Sequence, residues 1–175
     1  YMRLNDAGLA EESFRRALII NPRASNVQHN YGWLLCQQSR VLEAVQMFSS
    51  AIADPNYGDR AKTWMTQGLC QMKIGKTAEA EASLAHSYEL DAGNPITGYN
   101  LSLLLFNRGE FVRAQFYVRR LNNSELANAE SLWLGVKVER RMDNREAMLQ
   151  LASQLKKRFP QSKELALYEK GAFNE

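Results

Sequence analysis

Residues 64–95 read WMTQGLCQMKIGKTAEAEASLAHSYELDAGNP. Small and apolar residues recur through this stretch at helical spacing, in two runs parted by Gly75. Gly68 stands twelve residues before Ala80, Leu84 follows that alanine by four, and Ser87 comes three later. The same arrangement returns on either side. Ala10, Ala44, Ala80, Ala114 and Ala147 succeed one another at steps of 34, 36, 34 and 33 residues. Each is followed by a bulky apolar residue (Phe14, Phe48, Leu84, Val118, Leu151) and then by Ala17, Ala51, Ser87, Leu121 or Gln154. Gly32, Gly68, Ser102 and Gly135 precede the later alanines by twelve.

This register is the tetratricopeptide pattern, a helix, a tight turn and a second helix in each unit. One such pair cannot bury its apolar face alone. The chain is therefore predicted to be all-α, a right-handed superhelical solenoid of stacked helix-turn-helix units offering a concave binding surface. It is read as one domain over 1–175. Residues 1–23 end a truncated repeat, 24–57, 58–93, 94–126 and 127–160 are repeats, and 161–175 form a C-terminal capping helix. Tyr1 falls where an aromatic belongs in the middle of a repeat's first helix, so the chain is expected to begin inside a repeat.

The period predicts helices over about 7–20, 25–38, 42–53, 60–74, 77–90, 95–107, 111–121, 127–141, 145–159 and 163–170. Asn21-Pro22, Asp54-Pro55 and Pro160 close helices, because proline biases its predecessor away from helical backbone. Ser25 or Asn26, and Thr77, are read as caps, and Pro95 as a first-turn residue. Gly75 supplies a left-handed turn. The linker from Asp54 to Asp59 is two residues longer than its counterparts, which accounts for the 36-residue step. Gly32 and Gly68 let paired helices approach closely, with Phe48 and Leu84 filling the space beside them.

A composition of 45% hydrophobic and 23% charged residues fits a globular protein. A net charge of +3 is too small to point to nucleic acid, and no eighteen-residue apolar run exists to span a membrane. The late basic residues Arg140, Arg141, Arg145, Lys156, Lys157, Arg158 and Lys163 read as solvated helix surface.

First helices line the groove of a tetratricopeptide stack. Projecting from the small residue of each unit predicts a partner-binding stripe of His29, Trp33 and Cys36; Met65, Leu69 and Met72; Tyr99, Leu103 and Phe106; Leu132, Val136 and Glu139. Its aromatics and methionines suit an apolar peptide or amphipathic helix. The competing reading is plain core, weightiest for Leu69, Leu103 and Val136; Trp33, Met65, Tyr99 and Phe106 are expected to reach the groove. A clamp for two carboxylates does not assemble from His29, Trp33, Lys62, Thr66, Ile96 and Asn100.

No enzyme is legible. His29 and His86 lie on different repeats without metal-ligand spacing, and His86 reads as a surface or packing residue. Gly75-Lys76 lacks the rest of a phosphate loop. No metal or cofactor is expected. Cys36 and Cys70 occupy nearly equivalent places on adjacent first helices, as either a disulfide or two small buried hydrophobes.

HNYGWLLCQQSR (29–40), residues 64–95 above all with LWLGVKVERRMDNREAMLQLASQLKKRFPQSKE (132–164) resemble the PilF/PilW type IV pilus biogenesis and stability lipoproteins over essentially the whole chain. Asn56 and Ala92 replace a consensus proline, and Met142 stands where glycine is usual. The resemblance implies six repeats in the whole protein, with a lipidated cysteine and about one and a half repeats ahead of Tyr1. It implies an outer-membrane lipoprotein facing the periplasm, where Cys36 and Cys70 would be oxidised to a disulfide. It further implies a non-enzymatic role, supporting secretin localisation and multimerisation (a pilotin role) or fibre stability by binding a protein partner. The alternative is a generic tetratricopeptide adaptor or co-chaperone of another system.

Overall fold

A computed structural model describes residues 2–175, with side chains from residue 6 onward; the reading of Tyr1 lies outside them. The described residues form ten helices and no strand: α1 Met2–Ile20, α2 Ser25–Gln37, α3 Val41–Ile52, α4 Arg60–Lys73, α5 Thr77–Leu90, α6 Pro95–Asn107, α7 Phe111–Asn122, α8 Ala129–Arg141, α9 Arg145–Arg158 and α10 Lys163–Glu169. They group into two compact units, one running up to Ala92 and the other from Gly93. In the first, α2 pairs with α3 and α4 with α5; in the second, α6 pairs with α7 and α8 with α9.

The turn inside each pair repeats one backbone device. Ser39, Gly75, Gly109 and Asp143 take positive φ, of 63°, 76°, 80° and 54°. The amide just after each donates to a carbonyl five residues back: Arg40 to Leu35, Lys76 to Gln71, Glu110 to Leu105, Asn144 to Glu139. This satisfies carbonyls that the helix end leaves without partners. The left-handed residue of the last pair is Asp143, so Met142 is the final residue before the turn rather than the substitute for its glycine.

Several caps differ from expectation. The first residue ahead of α2 is Ala24, which has no capping side chain; Ser25 Oγ instead donates to Asp54 Oδ2 at 2.7 Å, tying the start of α2 to the end of α3. Thr77 lies inside α5, whose preceding residue is Lys76. The chain before α8 passes through turns over residues 123–126, and the helix opens at Ala129, two residues later than expected, behind Asn128, which forms a capping box with Ser131. Pro95 does open α6, with Asn94 accepting from the amide of Ile96.

Close approach works as the glycine spacing requires. A Cβ on Gly32 would lie 2.6 Å from the Phe48 ring, and one on Gly68 would lie 2.8 Å from Leu84 Cγ. Phe48, Leu84, Ala44 and Ala80 are wholly buried. The last pair departs by one residue. Along α9 the enclosed positions are Ala152 and Leu155; Ala147 and Leu151 are half-buried, and Gln154 is exposed. The cause is the turn. Gly75 follows Gly68 by seven residues, whereas Asp143 follows Gly135 by eight. One added residue is about 100° of helix rotation, which hands the inner face of α9 to the next position.

Candidate functional site

In the unit ending at Ala92, α2 and α4 lie side by side. Cys36 and Cys70 join them through a disulfide with Cα atoms 5.9 Å apart, and both residues are almost fully buried. His29 is buried two turns before Cys36 on the same helix. Its Nδ1 lies 2.7 Å from Thr63 Oγ1, and its ring tilts against Phe48 at 5.8 Å. Burial, then the charge of Lys62, lowers its pKa, so the ring is neutral at physiological pH. Predicted as a groove residue, His29 offers no surface, because its polar atom is used in packing α2 on α4. Met65 is likewise enclosed. Trp33 keeps 41% of its surface exposed, and Leu69 and Met72 are half-buried. These three are the predicted residues of this unit that present apolar surface. His86 stacks on Trp64 at 4.5 Å with its side chain largely in solvent.

In the unit from Gly93 onward, Tyr99, Leu103 and Phe106 are half-buried along one face of α6. The predicted continuation on α8 is not there. Leu132 and Val136 are wholly buried, Leu132 against Ala127, Leu155 and Leu165, and Val136 against Ala152. Glu139 is buried as well, accepting from Arg119 Nε at 2.6 Å and from Gln115 Nε2 at 3.0 Å. Its Arg119 partner has its pKa raised by that hydrogen bond. The positions one residue on face α6 and the C-terminal segment. Lys137 Nζ lies 5.7 Å from the Phe106 ring centre and 5.4 Å from that of Trp133. Trp133 stacks on Phe173 at 5.6 Å, and the Arg140 guanidinium sits 4.2 Å from the Phe173 ring. Thus Lys137 and Arg140 take the places assigned to Val136 and Glu139, the one-residue shift seen again in α9, while Trp133, in the place assigned to Leu132, is itself buried under Phe173. No motif marked Phe173; the contact arises only because Gly171, at φ 69°, turns the chain back after α10.

Among the described residues no cluster of three or more His, Cys, Asp or Glu is placed to hold a metal ion. No described helix is long and apolar enough to cross a membrane. What these faces supply is apolar and aromatic contact area with a few flanking charges, suited to holding a polypeptide.

No protein-family model matches the chain. Over 156 residues it is 31% identical to the type IV pilus assembly protein PilF of Pseudomonas aeruginosa, a match covering 89% of this chain and 62% of that one. The solved structure of that PilF superposes with a TM-score of 0.79 at 29% identity, over 94% of this chain and 74% of the other. PilW, a widely conserved type IV pilus biogenesis factor, superposes with a TM-score of 0.79 at 32% identity, over 96% of this chain and 76% of its own. YrrB, a tetratricopeptide protein, shares the fold at 17% identity with a TM-score of 0.76. The chain thus spans somewhat less than two thirds of the length of PilF. The helix-turn-helix pairs, their glycine contacts and these matches together place the chain in the PilF/PilW family of type IV pilus biogenesis proteins built from tetratricopeptide repeats.

Proposed function

We propose that this protein is a non-enzymatic scaffold of type IV pilus biogenesis that holds a segment of a partner protein against its first helices. The repeats doing so run 24–57, 58–93, 94–126 and 127–160, with 161–175 as the cap. The observation that carries the reading is the partly exposed apolar surface of Trp33, Leu69 and Met72 in one unit and of Tyr99, Leu103 and Phe106 in the other. Aromatic side chains of this kind dominate binding hot spots, and a methionine beside them adapts its shape to the partner. The partner in this proposal is a secretin or another pilus-assembly component, and the outcome is secretin localisation and multimerisation or fibre stability. The place of action is the periplasmic face of the outer membrane, with the whole protein held by a lipid anchor. A buried disulfide supports an oxidising compartment, since such bonds are rare where thiols are kept reduced.

The test is genetic and biochemical together. Deleting the gene should abolish pilus-dependent motility, and the full-length wild-type gene should restore it. A gene carrying Trp33→Ala with Tyr99→Ala should not restore it, although the variant protein accumulates to normal levels. Full rescue by that double variant would remove the groove reading, and an unaffected deletion strain would remove the pilus role.

A further inference from the structure

The charges of the unit that ends at Ala92 are sorted by helix. Its carboxylates stand on α1, α3 and α5 or in the linkers, and none stands on α2 or α4. Those two first helices carry Arg60, Lys62 and Lys73 as their only formal charges. Arg60 directs its charge toward Asp54, beyond the end of α3. Lys62 and Lys73 are exposed, and among the described residues neither forms an ion pair or a side-chain hydrogen bond. Three helical turns, about 16 Å, separate them, so both fall on one side of α4 with half-buried Leu69 between them. On α2 the exposed residues Asn26, Asn30, Trp33 and Gln37 follow the same spacing, with an amide at each end and the indole between. Counted from Gly32 and Gly68, Asn26 is the equivalent of Lys62, Trp33 of Leu69, and Gln37 of Lys73. The Cys36–Cys70 bridge joins the two helices along this stretch. Lys62 is felt as far as α2. Burial first makes His29 harder to protonate, then Lys62 does, and its effect exceeds the opposing one of Asp59. The face therefore has an apolar centre of Trp33, Leu69 and Met72, a cation at either end, and no anion on the helices that present it. In the other unit α6 bears no charged residue at all.

We infer that this face takes an acidic apolar segment of the partner protein, with apolar side chains over Trp33, Leu69 and Met72 and carboxylates at the two ends, one paired with Lys62 and one with Lys73. Charge complementarity argues for this occupant. Unpaired ammonium groups flanking apolar surface draw in an anionic chain and fix its register. A basic segment would meet two like charges, with no carboxylate on α2 or α4 to offset them. Three turns between the lysines suit separate side chains of a chain passing over the face, rather than the paired carboxylates of one chain end. Asn26, Asn30 and Gln37 add amide donors for the same carboxylates or for the partner's backbone. The inference rests on the groove reading above and adds the sign and spacing of the partner's charges.

Three helical peptides of one apolar sequence test it, with Glu/Glu, Gln/Gln or Lys/Lys at positions three turns apart. Their affinities for the whole chain are measured by calorimetry at low and high salt. The Glu/Glu peptide is expected to bind about three- to tenfold tighter than Gln/Gln at low salt, an advantage that shrinks at high salt, and Lys/Lys to bind weakest. Lys62→Gln together with Lys73→Gln should abolish this order, and each alone should remove part of it; circular dichroism confirms that the variants keep their helices. Lys156→Gln with Lys157→Gln, on the exposed side of α9, removes the same net charge and should leave the order intact. Equal affinity for all three peptides overturns the inference. So does an order that survives loss of Lys62 and Lys73, or one that falls equally with the α9 pair. If the peptides bind alike and Trp33→Ala weakens them all, the groove stands and only the charge pattern falls. If none binds, both fall.

Discussion

Gly68 packs against Leu84 in the α4–α5 pair, and Gly135 packs against Leu151 in the α8–α9 pair. From these matching starts the two pairs part. In α5 the wholly buried set is Ala80, Leu84 and Ser87, as the repeat register requires. In α9 it moves one residue on, to Ala152 and Leu155, and on α8 Lys137 and Arg140 move outward with it. A single residue between a close-contact glycine and its turn thus decides which side chains a helix offers to a partner. The first case leaves Leu69 and Met72 half-exposed, and the second leaves Lys137 and Arg140 there, over aromatic rings.

Truncation at the corresponding bulky positions should expose the difference most strongly. Phe48→Ala removes a wholly buried ring from the first unit and should cost about 3–5 kcal/mol, whereas Leu151→Ala, at a half-buried position, should fall below the roughly 2–5 kcal/mol typical of core leucines. Urea unfolding of both variants measures this, and equal losses would mean that the α8–α9 pair keeps the common register after all.

The disulfide gives the next effect. Replacing Cys36 and Cys70 together by alanine should lower stability by about 2–4 kcal/mol, consistent with a closed loop of this size. Complete reduction of the wild type in denaturant, followed by refolding in reductant, should lower its stability similarly and leave the double variant unchanged.

Both units also clamp a glutamate with an arginine, in opposite settings. Arg119 is about half exposed and holds Glu139, whose side chain is 1% exposed. Removing the arginine strands a buried charge; removing the glutamate releases a cation that water can reach. Arg119→Ala should therefore cost more than Glu139→Gln, toward the lower end of the roughly 3–5 kcal/mol seen when a buried pair is broken. In the first unit Glu11 accepts from Arg40, Tyr31 and Arg15 near solvent. Its pKa is lowered, chiefly by Arg40 and then by Tyr31. A depressed carboxyl favours the charged form in the fold, so its stabilisation is complete above the ordinary carboxylate range and disappears as pH falls through the folded value. Thermal melts should show Glu11→Gln destabilised at neutral pH, with the difference from the wild type closing only as pH falls below the ordinary carboxylate range.

Glycines provide the smallest contrast. Gly98→Ala meets nothing within 4 Å and should stabilise by about 0.4–1 kcal/mol, because alanine loses less freedom on entering a helix. Gly32→Ala would drive a methyl into the Phe48 ring and should destabilise.

Helix number, order and the inner faces of the first pairs were legible because the 34-residue rhythm fixes them at several positions together. Trp33, Tyr99 and Phe106 could be placed near a surface for the same reason. The shift in the last pair was hidden by coincidence, since Ala147 and Leu151 occupy the expected slots in sequence although the turn itself, at Asp143-Asn144, was legible. His29 looked like a surface residue because its partner, Thr63, sits 34 residues away on another helix. Phe173 could not be read at all, since a contact made by a chain that doubles back leaves no period. The caps of α2 and α5 failed for a local reason, as Ser25 and Thr77 spend their hydroxyls on Asp54 and on the Gly75 carbonyl.

The sulfur bridge between α2 and α4 lies under neighbouring side chains, with Cys36 3% and Cys70 0% exposed. A dissolved thiol must wait for the two helices to separate before it can attack. The redox history of this protein is therefore written during folding, and the finished molecule carries that record through later swings in its surroundings.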